Sequence, residues 1–398
     1  MGLNSTPNSD RIHIGIFGKR NAGKSSLINA LTNQPIAIVS DVLGTTTDPV
    51  FKAMEILPLG PVMIIDTPGI DDSGELGKIR VKKSYQVLNK TDIAILVVEK
   101  DNFSDEDTRL LEKIKAKNIP YIICHNKCDN ADEIKEASAN EIYVSAKNGT
   151  NIDKLRELLG TLNTAEAEYG IIGDMLNEGD HAILVIPIDK AAPKGRLILP
   201  QQQTIRDLLD HNCIATMVKD DRLSDALQNQ KEKPAVVITD SQAFGKVSKI
   251  VPQDIYLTSF SILMARHKGT LEDAVRGIKT LDTLNDGDKV LISEGCTHHR
   301  QCGDIGTQKL PKWILEYTKK NVAFEFSSGT DFPEDLSGYK LIIHCGGCML
   351  NEREMKYRLR CAKEQNVPMT NYGIAIAFVN GILKRSVEIF PDIKNILE

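Results

Sequence analysis

The sequence predicts an α/β protein: a mostly parallel, doubly covered sheet in residues 1–165, then two smaller α/β units, the last with an open parallel sheet. Three observations predict it. Short apolar runs alternate with helical patterns along the chain, which is the signature of strand–helix–strand units. The first run passes into a glycine-rich turn of the phosphate-binding type. No apolar run is long enough to span a bilayer.

In the first segment the strand candidates are 12–17, 62–65, 93–98, 121–124 and 142–144. A polar, glycine-containing stretch at 161–180 marks a boundary. The second unit, placed at 175–265, carries the runs AILVIPI, AVVIT and IYLTSF around helical patterns such as QTIRDLLDH and DRLSDALQNQ. It holds no catalytic motif; a structural role and a dimerisation role both stand open. The third unit, 268–398, has strand candidates at 289–294, 322–326, 340–344 and 367–370.

Composition is that of an ordinary globular protein, with 41% hydrophobic and 26% charged residues over 398 positions. Lys and Arg number 49 against 54 Asp and Glu, a net charge of −5. That balance argues against a broad nucleic-acid or anionic-membrane surface. The N-terminus reads as a solvated tail without an apolar signal core. A cytoplasmic protein is expected, in which the eight cysteines are either fillers or ligands rather than disulfides.

Residues Gly18-Lys19-Arg20-Asn21-Ala22-Gly23-Lys24-Ser25 spell G-x-x-x-x-G-K-S between a strand and a helix. Glycines let the backbone N–H groups turn inward around phosphates at a helix N-terminus, where Ser26 follows Ser25. Lys24 brings charge to the β- and γ-phosphates, and the Ser25 hydroxyl suits Mg²⁺. Three further motifs each follow a strand. Asp66-Thr67-Pro68-Gly69 supplies a Mg²⁺-side carboxylate and, at Gly69, an N–H for the γ-phosphate. Asn126-Lys127-Cys128-Asp129 supplies a carboxylate able to accept two hydrogen bonds from guanine N1–H and N2–H₂, a donor pair that adenine lacks. Ser145-Ala146-Lys147 borders the guanine O6. Four motifs in this order specify a Ras-like P-loop GTPase binding GTP or GDP with Mg²⁺.

The segment Gly44-Thr45-Thr46-Thr47-Asp48 is the expected switch loop. It resembles the GTTRD switch of Era-like and MnmE-like GTPases, and by that match Thr46 is the Mg²⁺ ligand, with Thr45 the second choice. Thr47 stands where that pattern has Arg. Ile70 stands where Ras-like enzymes place a water-orienting Gln, so intrinsic hydrolysis is expected to be slow. Asn21 occupies the position that ligates K⁺ in potassium-activated relatives. A K⁺ there would neutralise charge developing between the phosphates; a turn-tolerant loop Asn is the plainer alternative.

The third unit contains Cys296-Thr297-His298 and, after forty-five intervening residues, His344-Cys345-Gly346-Gly347-Cys348. Both follow strand candidates, where open parallel sheets bind ligands. Two Cys with two His would suit Zn²⁺, and three Cys would suit a [4Fe–4S] cluster with one iron left open. Spacing leaves both possible. Cys124, Cys128, Cys213, Cys302 and Cys361 read as fillers.

A guanine-specific GTPase joined to C-x-H…H-C-x-x-C resembles the HydF family of [FeFe]-hydrogenase maturation GTPases, along all three units and including IPIDKAAPKGRLILPQQQ at 186–203. The resemblance implies a middle dimerisation domain and a C-terminal domain binding a [4Fe–4S] cluster through Cys296, Cys345 and Cys348. It implies His298 and His344 as exchangeable ligands or supporting donors, and offers Asp189 as a displaceable fourth ligand. It also implies a scaffold that carries a transient two-iron subcluster precursor. Its partners would be HydE-like and HydG-like radical-SAM maturases, the hydrogenase apoprotein, and further copies of the chain in a homodimer or larger homo-oligomer. The rival reading is a MnmE- or Era-like RNA-associated GTPase with a structural zinc. A redox enzyme is disfavoured by the lack of a second redox motif.

Overall fold

The computed structural model describes residues 6–32, 48–71, 74–130, 132, 134–136, 138–162, 169–188, 197–295, 304–329 and 331–397. They fall into two compact units, Met1–Glu166 and Ala167–Glu398.

The first unit is built on six strands: β1 (Ile12–Gly18), β2 (Val50–Ile56), β3 (Gly60–Asp66), β4 (Ile93–Glu99), β5 (Tyr121–Asn126) and β6 (Glu141–Tyr143). Their order in the sheet is β2-β3-β1-β4-β5-β6. Only β2 runs antiparallel to its neighbour. Side chains alternate across a strand, so β4 feeds two cores. Ile93, Ile95 and Val97 pack with Leu27 and Ile28 on one face, and Ala94, Leu96 and Val98 pack with Leu110 and Ile114 on the other. A parallel sheet covered on both faces needs such continuous apolar strands. The helix Lys24–Thr32 rises from the turn after β1. The helix Asp105–Ala116 opens on a capping box, in which Ser104 and Asp107 satisfy each other's backbone N–H groups. This is the Ras-like arrangement that the motifs predict.

The second unit holds two four-stranded parallel sheets. One contains β7 (His181–Val185), β8 (Ile214–Val218), β9 (Val236–Thr239) and β10 (Tyr256–Ser259), in the order β10-β9-β7-β8. The other contains β11 (Lys289–Glu294), β12 (Ala323–Ser328), β13 (Leu341–His344) and β14 (Met369–Asn371), in the order β12-β11-β13-β14. One apolar core joins them, from Ile171 to Phe390. The helices Phe260–His267 and Leu271–Ile278 flank the sequence boundary near 268, and both are buried in that common core. Gly277 makes close packing possible: a Cβ there would lie 2.4 Å from the Met369 carbonyl oxygen on β14. The helix Tyr372–Val379 is buried on nearly every side, consistent with its apolar sequence.

Candidate functional site

The nucleotide motifs lie at the carboxyl ends of β1, β3 and β5 and just beyond β6, the edge where parallel α/β sheets bind ligands. The turn after β1 uses left-handed backbone at Asn21 (φ 57°) and Gly23 (φ 91°). A Cβ on Gly23 would stand 2.2 Å from Asn126 Nδ2, so only glycine admits this contact. The buried Lys24 ammonium donates to the carbonyls of Gly18 (3.0 Å) and Lys19 (2.7 Å). Ser25 Oγ donates to Asp66 Oδ2 at 3.1 Å. Asp66 Oδ1 is buried with no hydrogen-bond partner among the described residues. Burial raises the Asp66 pKa, while the Lys24 charge and the Ser25 hydroxyl work against that rise. A hydroxyl beside an orphaned carboxylate oxygen is a hard-oxygen donor set suited to Mg²⁺.

Gly69 packs directly on the phosphate loop, where a Cβ would meet Arg20 Cγ at 2.4 Å and Arg20 N at 2.9 Å. Asp71 Oδ1 accepts from Arg20 N–H at 2.7 Å. Thr67 Oγ1 donates to the Ile16 carbonyl and Ser84 Oγ to the Pro68 carbonyl, which fixes the intervening turn. Ile70 is 5% exposed and belongs to the core with Phe17 and Ile65. Its side chain therefore packs inward. Thr45 and Thr46 lie outside the described residues.

The base-recognition loops form one hydrogen-bonded assembly. Asn126 Nδ2 donates to the Ala22 carbonyl at 3.0 Å, and Asn126 Oδ1 accepts from Ala146 N–H at 3.0 Å. Ser145 Oγ donates to Asp129 Oδ1 at 2.6 Å, and Asn148 N–H donates to Ser145 Oγ. Asp129 is exposed and held by one oxygen, leaving acceptor capacity for a base. Lys127 adopts left-handed backbone (φ 65°), and its ammonium lies 3.1 Å from Glu99. Lys147 and Asn21 are exposed.

The second site lies where β11 and β13 run side by side, with Ser293 opposite His344. Cys345 N–H donates to the Ser293 carbonyl at 2.8 Å. Gly295 N–H donates to Cys345 Sγ at 3.1 Å, and Gly347 N–H donates to the same sulfur at 3.4 Å. Gly347 takes left-handed backbone (φ 63°) in the turn to Cys348. Burial raises the Cys345 thiol pKa, against the two N–H donors. It pushes Cys348 up to about 11, with Cys345 adding and Lys268 opposing. The backbone N–H donors and the nearby ammonium work against that rise without overcoming it, and two cysteine sulfurs in one tight turn are a donor set suited to a soft metal centre. Cys296 is the residue after Gly295. It lies outside the described residues, as do His298, Cys302 and Asp189. Among the described residues no three Cys, His, Asp or Glu side chains converge on one point.

His344 is fully buried, and both ring nitrogens are in use. Nδ1–H donates to the Cys345 carbonyl at 2.7 Å, and Nε2 accepts from Arg358 at 3.0 Å. Burial, with Arg358 next, pushes its pKa down to about 3, so the ring is neutral. The ring thus supports the thiol turn from below. Sequence reading missed Arg358, Lys268 and the buried pair in which Tyr372 donates to Glu294 Oε1 at 3.2 Å. The available signal was the Glu354/Arg358 spacing, which on a charged helix reads as an exposed i,i+4 pair. Cys124, Cys128 and Cys213 are buried fillers.

Residues 13–127 match the family described as 50S ribosome-binding GTPase. Residues 171–269 match the Hydrogen maturase F dimerization domain, and residues 272–389 the Hydrogen maturase F tetramerization domain. The tRNA modification GTPase MnmE of Legionella pneumophila is 36% identical over 148 residues, covering 36% of this chain and 33% of that protein. GTPase Der of Wolinella succinogenes is 37% identical over 163 residues, covering 37% of this chain and 34% of that protein. The chain thus spans about a third of the length of these curated relatives. The solved structure of an Era variant from Aquifex aeolicus bound to GDP and AlF₄⁻ aligns at 19% identity with a TM-score of 0.34, covering 54% of this chain and 97% of that one.

Proposed function

We propose a function from one premise: the chain belongs to the hydrogen maturase F family. Its first unit is a GTPase domain that binds GTP and GDP. The finer reading is that this GTPase also carries a [4Fe–4S] cluster and serves as scaffold and carrier for the two-iron precursor of an [FeFe]-hydrogenase. In this reading Cys296, Cys345 and Cys348 hold the cluster. His298 is kept as an exchangeable or supporting donor and Asp189 as a displaceable fourth ligand. One observation carries the reading: Gly295 N–H, which leads into Cys296-x-His298, donates to Cys345 Sγ at 3.1 Å. Two motifs far apart in sequence are thereby supported as parts of one site.

When bound, the cluster supplies an iron without a thiolate, at which cargo could be held and released. The chain's own residues do the rest. Gly295 and Gly347 direct N–H groups at Cys345, and His344 braces its carbonyl. At the nucleotide, Lys24 meets phosphate charge, Ser25 with Asp66 and Thr46 holds Mg²⁺, Gly69 senses the γ-phosphate, and Asp129 reads guanine. Asn21 ligates K⁺, which offsets the absence of a water-orienting residue at the core-facing Ile70. The GTP-dependent order of the switch then biases contacts with HydE-like and HydG-like maturases and the hydrogenase apoprotein. The matches over 171–269 and 272–389 support a homodimer or larger homo-oligomer. A cytoplasmic location is proposed with them; among the described residues no helix is long and apolar enough to cross a membrane.

The test is anaerobic reconstitution with iron, sulfide and zinc analysis. The parent chain should bind iron and sulfide and absorb in the visible range. Cys345→Ser should lose that iron, and Cys361→Ser should keep it. A colourless parent with one zinc per chain would instead favour the RNA-associated GTPase, whose support here is a likeness of about 150 residues to MnmE.

A further inference from the structure

Arg358 is fully buried and stands first by volume among the largest buried side chains in the described residues. It sits on the helix Glu352–Glu364, and its guanidinium reaches the carboxyl ends of three strands. Nη2 donates to the Gly329 carbonyl just beyond β12 at 2.6 Å. Nη1 donates to His344 Nε2 at the end of β13 at 3.0 Å, with Ser293 Oγ on β11 at 3.5 Å. Nε donates to Glu354 Oε1 at 3.0 Å, one turn earlier on the same helix. The Phe332 ring lies 5.1 Å away and covers the cation. Ser327 Oγ on β12 also donates to Ser293 Oγ at 2.9 Å, so side chains add to the backbone ladder between β11 and β12.

A lone buried cation is costly unless paired and hydrogen-bonded. Here the planar fork is matched by fixed acceptors from separate elements, the use for which Arg is suited and Lys is not. From the guanidinium the contacts lead through the imidazole to the Cys345 carbonyl at 2.7 Å. One imidazole therefore stands between the positive charge and the backbone of Cys345, whose thiol becomes negative on loading a metal.

We propose that Arg358 is a positioning residue for the cluster site. It ties the ends of β11, β12 and β13 into one platform, locks His344 as an acceptor so that the ring braces Cys345, and places a desolvated positive charge behind Cys345. The proposal rests on the iron–sulfur reading above. A positive charge near a cluster stabilises its reduced, more negative form, so the redox potential reports the charge separately from the packing. Outer partners of metal ligands typically change affinity by about ten- to a hundredfold.

The experiment uses the full chain, reconstituted anaerobically, with circular dichroism and a urea midpoint as fold controls. Arg358→Met should load iron, release it to a chelator at least about tenfold faster, and show a more negative midpoint potential. Arg358→Lys should keep a potential near the parent's while still releasing iron faster, because the charge remains and the fork is lost. Glu354→Gln removes the counter-charge and should move the potential in the positive direction. Opposite shifts in Arg358→Met and Glu354→Gln would not arise from loosened packing alone. A folded Arg358→Met chain with parental potential and release rate overturns the proposal. If Arg358→Met fails to fold, Glu354→Gln decides: a positive shift supports it and an unchanged potential overturns it. Iron retained in Cys345→Ser would overturn the cluster reading itself, and the role of Arg358 with it.

Discussion

Replacing Asn126 with Ala is the sharpest test of how the nucleotide loops are held. Asn126 is 2% exposed and joins two loops with one amide. Its Nδ2 donates to the Ala22 carbonyl of the phosphate loop, and its Oδ1 accepts from Ala146 N–H of the guanine loop, each at 3.0 Å. Alanine removes both bonds, together with a longer one from Nδ2 to the Gly23 carbonyl at 3.4 Å, and leaves their partners. A net hydrogen bond contributes about 0.5–1.5 kcal/mol, and a buried partner left unpaired costs about 1–3 kcal/mol. Ala22 is 3% exposed, so its carbonyl meets most of that cost; Ala146 is half-buried, so its N–H regains water more easily. The sum is about 2–4 kcal/mol. If it is met on binding, the dissociation constant for GTP rises about 30- to 700-fold at 1.4 kcal/mol per decade. Titration with a fluorescent GTP analogue measures the affinity, and urea unfolding measures any part spent on stability. Asn126→Asp keeps the shape and the acceptor for Ala146 but sets a carboxylate against the Ala22 carbonyl, and should be no milder. An Asn126→Ala chain with affinity within about threefold of the parent and an unchanged unfolding midpoint would refute the reasoning.

Lys24→Ala should abolish GTP hydrolysis, because a lysine charge on the phosphates is lost, yet leave anaerobic iron loading intact; loss of iron as well would contradict independent sites. Hydrolysis should rise when Na⁺ is replaced by K⁺, and Asn21→Ala should remove that response; a retained response would exclude Asn21 as the K⁺ ligand. Asp174 pairs with both terminal nitrogens of Arg266, at 2.8 and 2.6 Å. Burial works against the Asp174 carboxylate, but Arg266 prevails and lowers its pKa. A lowered carboxyl pKa contributes stability above the unfolded value of about 3.9 and loses it as pH falls through the folded value. Asp174→Asn should therefore lower the second unit's unfolding midpoint at neutral pH, and the difference from the parent should shrink as pH falls below the unfolded value of about 3.9 and through the lowered folded value.

Most of the first unit was legible because its signals are local. A glycine-rich turn between strand and helix, and three motifs each following an apolar run, carry both the fold and the guanine specificity proposed for Asp129. The buried strands announce themselves in the same way: β11 begins and ends at the residues that periodicity predicts, 289 and 294. The strands that escaped, β2 and β8, are edge strands. Their side chains are mostly exposed or half-buried, with Phe51 at 44% and Met217 at 52% exposure. A strand covered on one side needs no continuous apolar run, so it leaves a weak trace in sequence.

The sequence by itself determined which chemical groups exist: a glycine-rich turn of the phosphate-binding type, the carboxylate of an N-K-x-D motif, and cysteines that follow two strand candidates. Only the tertiary structure decided what surrounds them. Parallel pairing of β11 with β13 brings Gly295 against Cys345, a relation between residues fifty apart in the chain. The same fold turns the Glu354–Arg358 pair inward, where it fastens His344 instead of meeting water. Spacing along a helix fixes which side chains are neighbours, but whether that face meets solvent or three strand ends depends on packing with distant segments, and no local pattern encodes it.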